Sequence, residues 1–297
     1  MYYYADLLQE VQLFCRNGVE TGIVGESELG RQIPYIFVGK KNGNYMIVQA
    51  AIHAREHLTA LLTVNLAKYL VKNPELTLTG GIYFVPMVNP DGVCLCQQGV
   101  GVVRNKELKS NLLKINGGSD FSLWKANADG VDLNVNFDAR WGEGTQNEFC
   151  KSAQNYVGKH PFSARETRAL AAFTKSIKPC VTLSYHLKGE EIYWEFGQRS
   201  HRRFRDHRYA QSIAKYTGYK VKTTEGSVGG YKDWCIQEFK IPAFTVEVGN
   251  DNFPHPFPYS EFPTIFEQNK DLPRRLLNTV VRDKQLLEEA GLSDLLE

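Results

Sequence analysis

Three ionisable residues, His53, His186 and Glu247, each stand in or at the carboxyl end of a short apolar run with the composition of a β-strand: residues 45–52, 181–185 and 241–248. A charged or ionisable group is costly to bury unless it is paired or bound to a metal. In open α/β sheets, ligand sites gather at the carboxyl ends of the strands. The chain is therefore constrained to a fold that brings three strand ends to one edge. Around these runs strand-like and helix-like stretches alternate, which points to the α/β class.

The helical stretches declare themselves by spacing. Tyr4, Leu7, Leu8, Val11 and Cys15 predict a helix over residues 3–16, ended by Asn17-Gly18. Leu58, Leu61, Leu62 and Leu66 predict another over 58–71, stopped by Asn73-Pro74. Ser163-Ala164-Arg165-Glu166 reads as a capping box, with a helix from about 164 to 176. Residues 272–290 read as one or two amphipathic helices. Strands are expected at 35–38 and 45–52, with Asn42-Gly43 as the turn between them, and at 81–88, followed by the turn Asn89-Pro90-Asp91-Gly92.

Several functions are excluded early. A net charge of +2 with no basic tract gives no footing for nucleic acid. No stretch reaches the roughly 18 apolar residues of a membrane span. The opening MYYYADLLQEVQLFC has no basic region, and Asp6 and Glu10 break its apolar run, so no secretory signal is expected and a cytoplasmic location is. The six cysteines (Cys15, Cys94, Cys96, Cys150, Cys180 and Cys235) match no disulfide scaffold or zinc knuckle and are expected to be reduced and mostly buried. Cys94 and Cys96, two apart in an expected strand, would share a face.

The segment His53-Ala54-Arg55-Glu56-His57 carries two metal motifs at once. As H-x-x-E-H, it would set His53 and His57 on one helical turn as ligands with Glu56 as base. As H-x-x-E, His53 and Glu56 would be the ligands and His57 a bystander. The first needs His53 inside a helix. Because His53 directly follows a strand-like run, the second is favoured.

HAREH, VNPDG, GVDLN, LSYH and FTVEVG occur in the order and approximate spacing of the zinc carboxypeptidases related to carboxypeptidase A, and the chain resembles that family over nearly its whole length. The resemblance implies a single catalytic domain over residues 1–297, built on a mixed, twisted eight-stranded sheet flanked by helices. It implies one zinc ion, with His53, Glu56 and His186 as ligands and Glu247 as the base that takes a proton from water as it attacks a carbonyl. It also implies that Lys125, after Trp124, meets the negative carbonyl oxygen of the transition state, where carboxypeptidase A has Arg. Arg55 resembles a substrate-binding cation of the family.

The chain also departs from the digestive members. Their carboxylate-anchoring Asn-Arg pair reads Asn134-Val135 here, with Arg140 close by in sequence. An ungapped count back from Asp233-Trp234 puts Glu225 where the family has a mobile Tyr, with Tyr219 and Tyr231 nearby. The same count puts Lys232 at the position that sets side-chain preference, as a cation for an acidic or zwitterionic substrate tail. GGYKDW, SYHLKGEEIYW and WKANADGVDLN resemble the bacterial branch that cleaves γ-D-glutamyl–diamino acid bonds in murein peptides. A murein-derived peptide is thus the expected substrate. The alternatives are a carboxypeptidase on ordinary peptides with acidic C-termini, a zinc amidohydrolase of the desuccinylase type, and a peptide-binding relative without catalysis. VNPDG and GVDLN argue against the amidohydrolase; the ligand set with Glu247 argues against the binding module.

Overall fold

Val, Ile, Phe and Tyr crowd the strand segments because branched and aromatic side chains fit a pleated, buried surface. In the computed structural model, which describes residues 1–223 and 226–292, these segments form eight strands. They are β1 (Thr21–Glu26), β2 (Gln32–Gly39), β3 (Tyr45–Ala50), β4 (Gly81–Val85), β5 (Val181–Leu187), β6 (Glu191–Tyr193), β7 (Lys220–Lys222) and β8 (Ala243–Val248). One sheet holds all eight in the order β1-β2-β4-β3-β5-β8-β6-β7. Its centre, β4-β3-β5-β8, is parallel, while β1-β2-β4 and β8-β6 pair antiparallel. The mixed eight-stranded sheet expected from the sequence is therefore present.

Nine helices accompany it among the described residues: α1 (Tyr4–Arg16), α2 (Leu58–Lys72), α3 (Pro90–Gln98), α4 (Lys106–Asn116), α5 (Arg165–Ile177), α6 (Ser200–Thr217), α7 (Tyr231–Phe239), α8 (Phe262–Asn269) and α9 (Leu272–Glu289). Alternate residues of the central strands feed two cores. Met46, Val48, Leu183, Tyr185, Phe244 and Val246 pack with α1, α2, α6 and α9. Ile47, Tyr83 and Val85 pack on the other face with Leu170 of α5 and Tyr231 and Trp234 of α7. Each such side chain, fully buried, contributes about 1.5–3 kcal/mol. No helix among the described residues is long and apolar enough to cross a membrane.

The structure refines or overturns several local expectations. Asn42-Gly43 does turn the chain between β2 and β3, but β4 inserts between those strands, so they do not pair. Asn89-Pro90-Asp91-Gly92 is the start of α3: Asn89 Oδ1 accepts from Gly92 N, and Pro90 needs no amide hydrogen at that position. Cys94 and Cys96 consequently lie on a helix, where residues two apart face different ways. All six cysteines are free, but only Cys94 and Cys235 are buried. The expected capping box does not close, because α5 begins after Ala164 without a side-chain cap. Ser163 Oγ instead accepts from Asn136, and Glu166 turns into the core, where its two carboxyl oxygens accept from Asn127 Nδ2 and Glu28 N.

Candidate metal centre

Strand β3 ends at Ala50, and the chain swings out through Ala51 at φ 46°, a left-handed conformation that an alanine adopts only under constraint. Thr59 supplies part of that constraint: its Oγ1 accepts from Ala51 N and donates to Glu56 O. Asn89 supplies more, with Nδ2 bridging Ile52 O and Ala126 O. His53 follows in an extended conformation and opens a short 3₁₀ turn, Ala54–Glu56, which carries Glu56 back beneath it. His186 arrives separately, near the end of the fully buried strand β5.

The three side chains converge. Glu56 Oε1 lies 2.8 Å from His53 Nδ1, Glu56 Oε2 lies 3.1 Å from His186 Nδ1, and the two ring nitrogens are 3.1 Å apart. All three residues are buried, and one donor atom from each falls within 4.8 Å of the others. Burial works against the charged forms, but the two imidazoles pull the Glu56 carboxyl far below its ordinary range. Burial likewise opposes a charged His53, and Glu56 and Asp132 outweigh it. Two imidazole nitrogens and a carboxylate aimed at one point form a donor set suited to zinc. His57 is not part of it, since its Nδ1 lies 2.6 Å from Tyr259 Oη and burial pushes its pKa down to about 4.

Behind His53 stands a residue that the sequence reading did not single out. Asp132 is wholly buried, and its Oδ1 lies 3.2 Å from His53 Nε2, within ion-pair reach though off the line of an ideal hydrogen bond. Its Oδ2 is 2.8 Å from Lys125 Nζ and accepts from Asn155 N. A proton on Nε2 facing Asp132 leaves the Nδ1 lone pair free for a cation. The signal was available: Asp132 is the one carboxylate inside the quoted motif GVDLN.

Glu247 is the Cα partner of His186 on the neighbouring parallel strand. It is partly exposed on the wall between two recesses. The smaller, of 250 Å³, is lined by His53, His186, Lys125, Asn134 and Val135. The larger, of 630 Å³, is lined by Asn134, Tyr193, Lys222, Lys232, Asp233 and Thr245. Although the residue keeps some exposure, enclosure of its carboxyl between the recess walls pushes it up to about 8, with His186 opposing the rise and Glu56 reinforcing it. A cation held by the neighbouring cluster would draw it back toward the carboxylate form that a base needs.

The remaining expected residues separate. Asn134 lines both recesses, with Oδ1 accepting from Tyr231 N, so its amide nitrogen is the donor left for a ligand. Lys232 lines the larger recess but is only 6% exposed, and its ammonium is held by Asp233 at 2.5 Å and Glu195 O at 3.0 Å. Arg55 lines neither; its Nη1 lies 3.4 Å from both Leu123 O and Gln154 Oε1. Arg140 is turned to Glu143 and lines a different depression beside Phe196 and Gln198, so it does not stand in for the missing Arg at 135. Tyr219 and Tyr231 are buried and bonded to Gln268 and Thr174, and Glu225 lies outside the described residues.

Comparison with known proteins agrees with this geometry. The profile of the family described as zinc carboxypeptidase matches residues 4–271. The γ-D-glutamyl-L-diamino acid endopeptidase 1 of Lysinibacillus sphaericus is 35% identical over 260 residues, covering 82% of this chain and 64% of its own length. This chain thus spans just under two thirds of that relative. Bovine thrombin-activatable fibrinolysis inhibitor superposes with a TM-score of 0.77 at 20% identity, over 95% of this chain and 98% of that one. Murein-tripeptide amidase MpaA from Escherichia coli O157 superposes with a TM-score of 0.55 at 21% identity, over 88% and 91%. At these identities the two superpositions speak for the fold.

Proposed function

The chain belongs to the zinc carboxypeptidase family, and from that premise we propose that this metallopeptidase hydrolyses the γ-D-glutamyl–diaminopimelate amide of murein peptides. Residues 1–297 act as one catalytic domain, with one zinc ion held by His53, Glu56 and His186. A zinc ion there supplies a Lewis acid that polarises a carbonyl and acidifies water. Glu247 takes the proton of the attacking water as its oxygen bonds to the carbonyl carbon. It passes that proton to the leaving nitrogen as the C–N bond breaks. Lys125, tethered by Asp132, offers positive charge to the carbonyl oxygen as it becomes negative. Asn134 donates to the substrate from the wall that both recesses share, and Arg55, between the two ligands in sequence though outside both recesses, is the further substrate-binding cation.

The observation that carries the reaction is the convergence of His53 Nδ1, the Glu56 carboxylate and His186 Nδ1, with Glu247 in register beside it. The substrate rests on the 35% identical diamino acid endopeptidase and on the larger recess. That recess offers both cations and carboxylates, which suits a zwitterionic side chain better than a purely acidic one. Val135 removes the cation that would demand a free terminal carboxylate beside Asn134. Mass spectrometry of L-Ala-γ-D-Glu-meso-diaminopimelate incubated with the protein tests this. Release of free diaminopimelate that a zinc chelator blocks is expected; an intact tripeptide with zinc-loaded protein would contradict the assignment.

A further inference from the structure

The larger recess needs a cation that a ligand can reach. Among the described residues two cations line it, Lys232 and Lys222, and Lys232 is already enclosed by Asp233 and Glu195 O. Lys222 differs in every respect. Its side chain is 48% exposed, and its nearest partner, Glu191 Oε1, is 3.5 Å away. Glu191 is itself partly exposed, and Tyr193 Oη donates to its other oxygen. A loose pair of this kind adds little to stability and is free to exchange partners.

The sheet register fixes where this pair faces. Lys222 is the Cα partner of Tyr193, Tyr193 of Thr245, and Thr245 of Ser184. Directly paired residues share a face of the sheet, as do residues two apart on one strand. Lys222 therefore rises on the same face as Thr245 and Glu247, two strands or about 10 Å to the side. Glu191, the Cα partner of Glu247 on β6, stands between them. A diamino acid whose amide nitrogen leaves at Glu247 carries its second amino-carboxylate centre about 7 Å further on, at ordinary bond lengths.

We propose that the Lys222–Glu191 pair is the specificity device of the recess: it opens to receive a distal amino-carboxylate centre, Lys222 taking the carboxylate and Glu191 the ammonium. This rests on the murein reading above and assigns to Lys222 the contact that the sequence suggested for Lys232. A charge-assisted contact in a partly exposed site corresponds to about 10- to 100-fold in binding.

The test compares kcat/KM for L-Ala-γ-D-Glu-meso-diaminopimelate with that for L-Ala-γ-D-Glu-L-Lys, which lacks the distal carboxylate. The wild-type protein should prefer the first by about 10- to 100-fold. Lys222→Met should erase the preference by lowering kcat/KM for the diaminopimelate peptide without lowering that for the lysine peptide, and Lys222→Arg should keep the preference. A general structural disturbance would instead lower both rates together. Equal rates in the wild type, or a preference that survives Lys222→Met, would overturn the proposal. Cleavage of neither peptide would overturn the murein reading separately. The pair would then be judged on α-linked peptides ending in a long acidic residue or its neutral counterpart, where loss of the acidic preference in Lys222→Met supports it and its persistence rejects it.

Discussion

Asp132 links the two halves of the centre: one oxygen lies 3.2 Å from the Nε2 of His53, and the other lies 2.8 Å from Lys125 Nζ. A carboxylate behind a ligating imidazole orients the ring and raises its basicity. Asp132→Asn should therefore weaken zinc binding by about 10- to 100-fold, read by competition with a chromophoric chelator. Unchanged affinity would mean that Asp132 serves only the loop it caps through Asn134 N and Asn155 N.

Lys232 presents the opposite case of a charge whose partner is internal. Removing its ammonium leaves the Asp233 carboxylate buried, with Gly230 N as its donor among the described residues. Breaking one side of a buried pair costs about 3–5 kcal/mol. Lys232→Met should lower the urea midpoint accordingly, and any loss of activity should track the unfolded fraction. A fully stable variant with a raised KM alone would instead return Lys232 to direct substrate contact.

Glu166 gives the fold a dependence on pH. Burial pushes its carboxyl from 4.5 to about 8, so the folded chain holds a proton that the unfolded chain releases. Its contribution to stability is complete below about 4.5 and is lost as the pH rises through about 8. Urea midpoints at pH 5, 6.5 and 8 should fall with pH in the wild type and fall less in Glu166→Gln. Parallel slopes would contradict this assignment of the buried proton.

Much of this was legible because single residue types announced it. His53, His186 and Glu247 at the ends of apolar runs located the edge of the sheet, and H-x-x-E followed from His53 leaving a strand. What escaped depended on distance in space. Asp132 matters only because the loop before the short turn Leu133–Val135 folds behind His53. Lys222 sits on a three-residue edge strand too short to carry a period of its own. Glu166 looked like a capping residue because its spacing from Ser163 is right, but Asn136 takes the cap position by accepting from Ala164 N.

The most direct test of the centre measures metal content and hydrolysis on the same preparation of Glu247→Gln. The account predicts wild-type zinc content, because His53, Glu56 and His186 are untouched, and a fall in turnover of at least about 100-fold, because the proton acceptor is gone. Normal turnover by the zinc-loaded variant would contradict the mechanism.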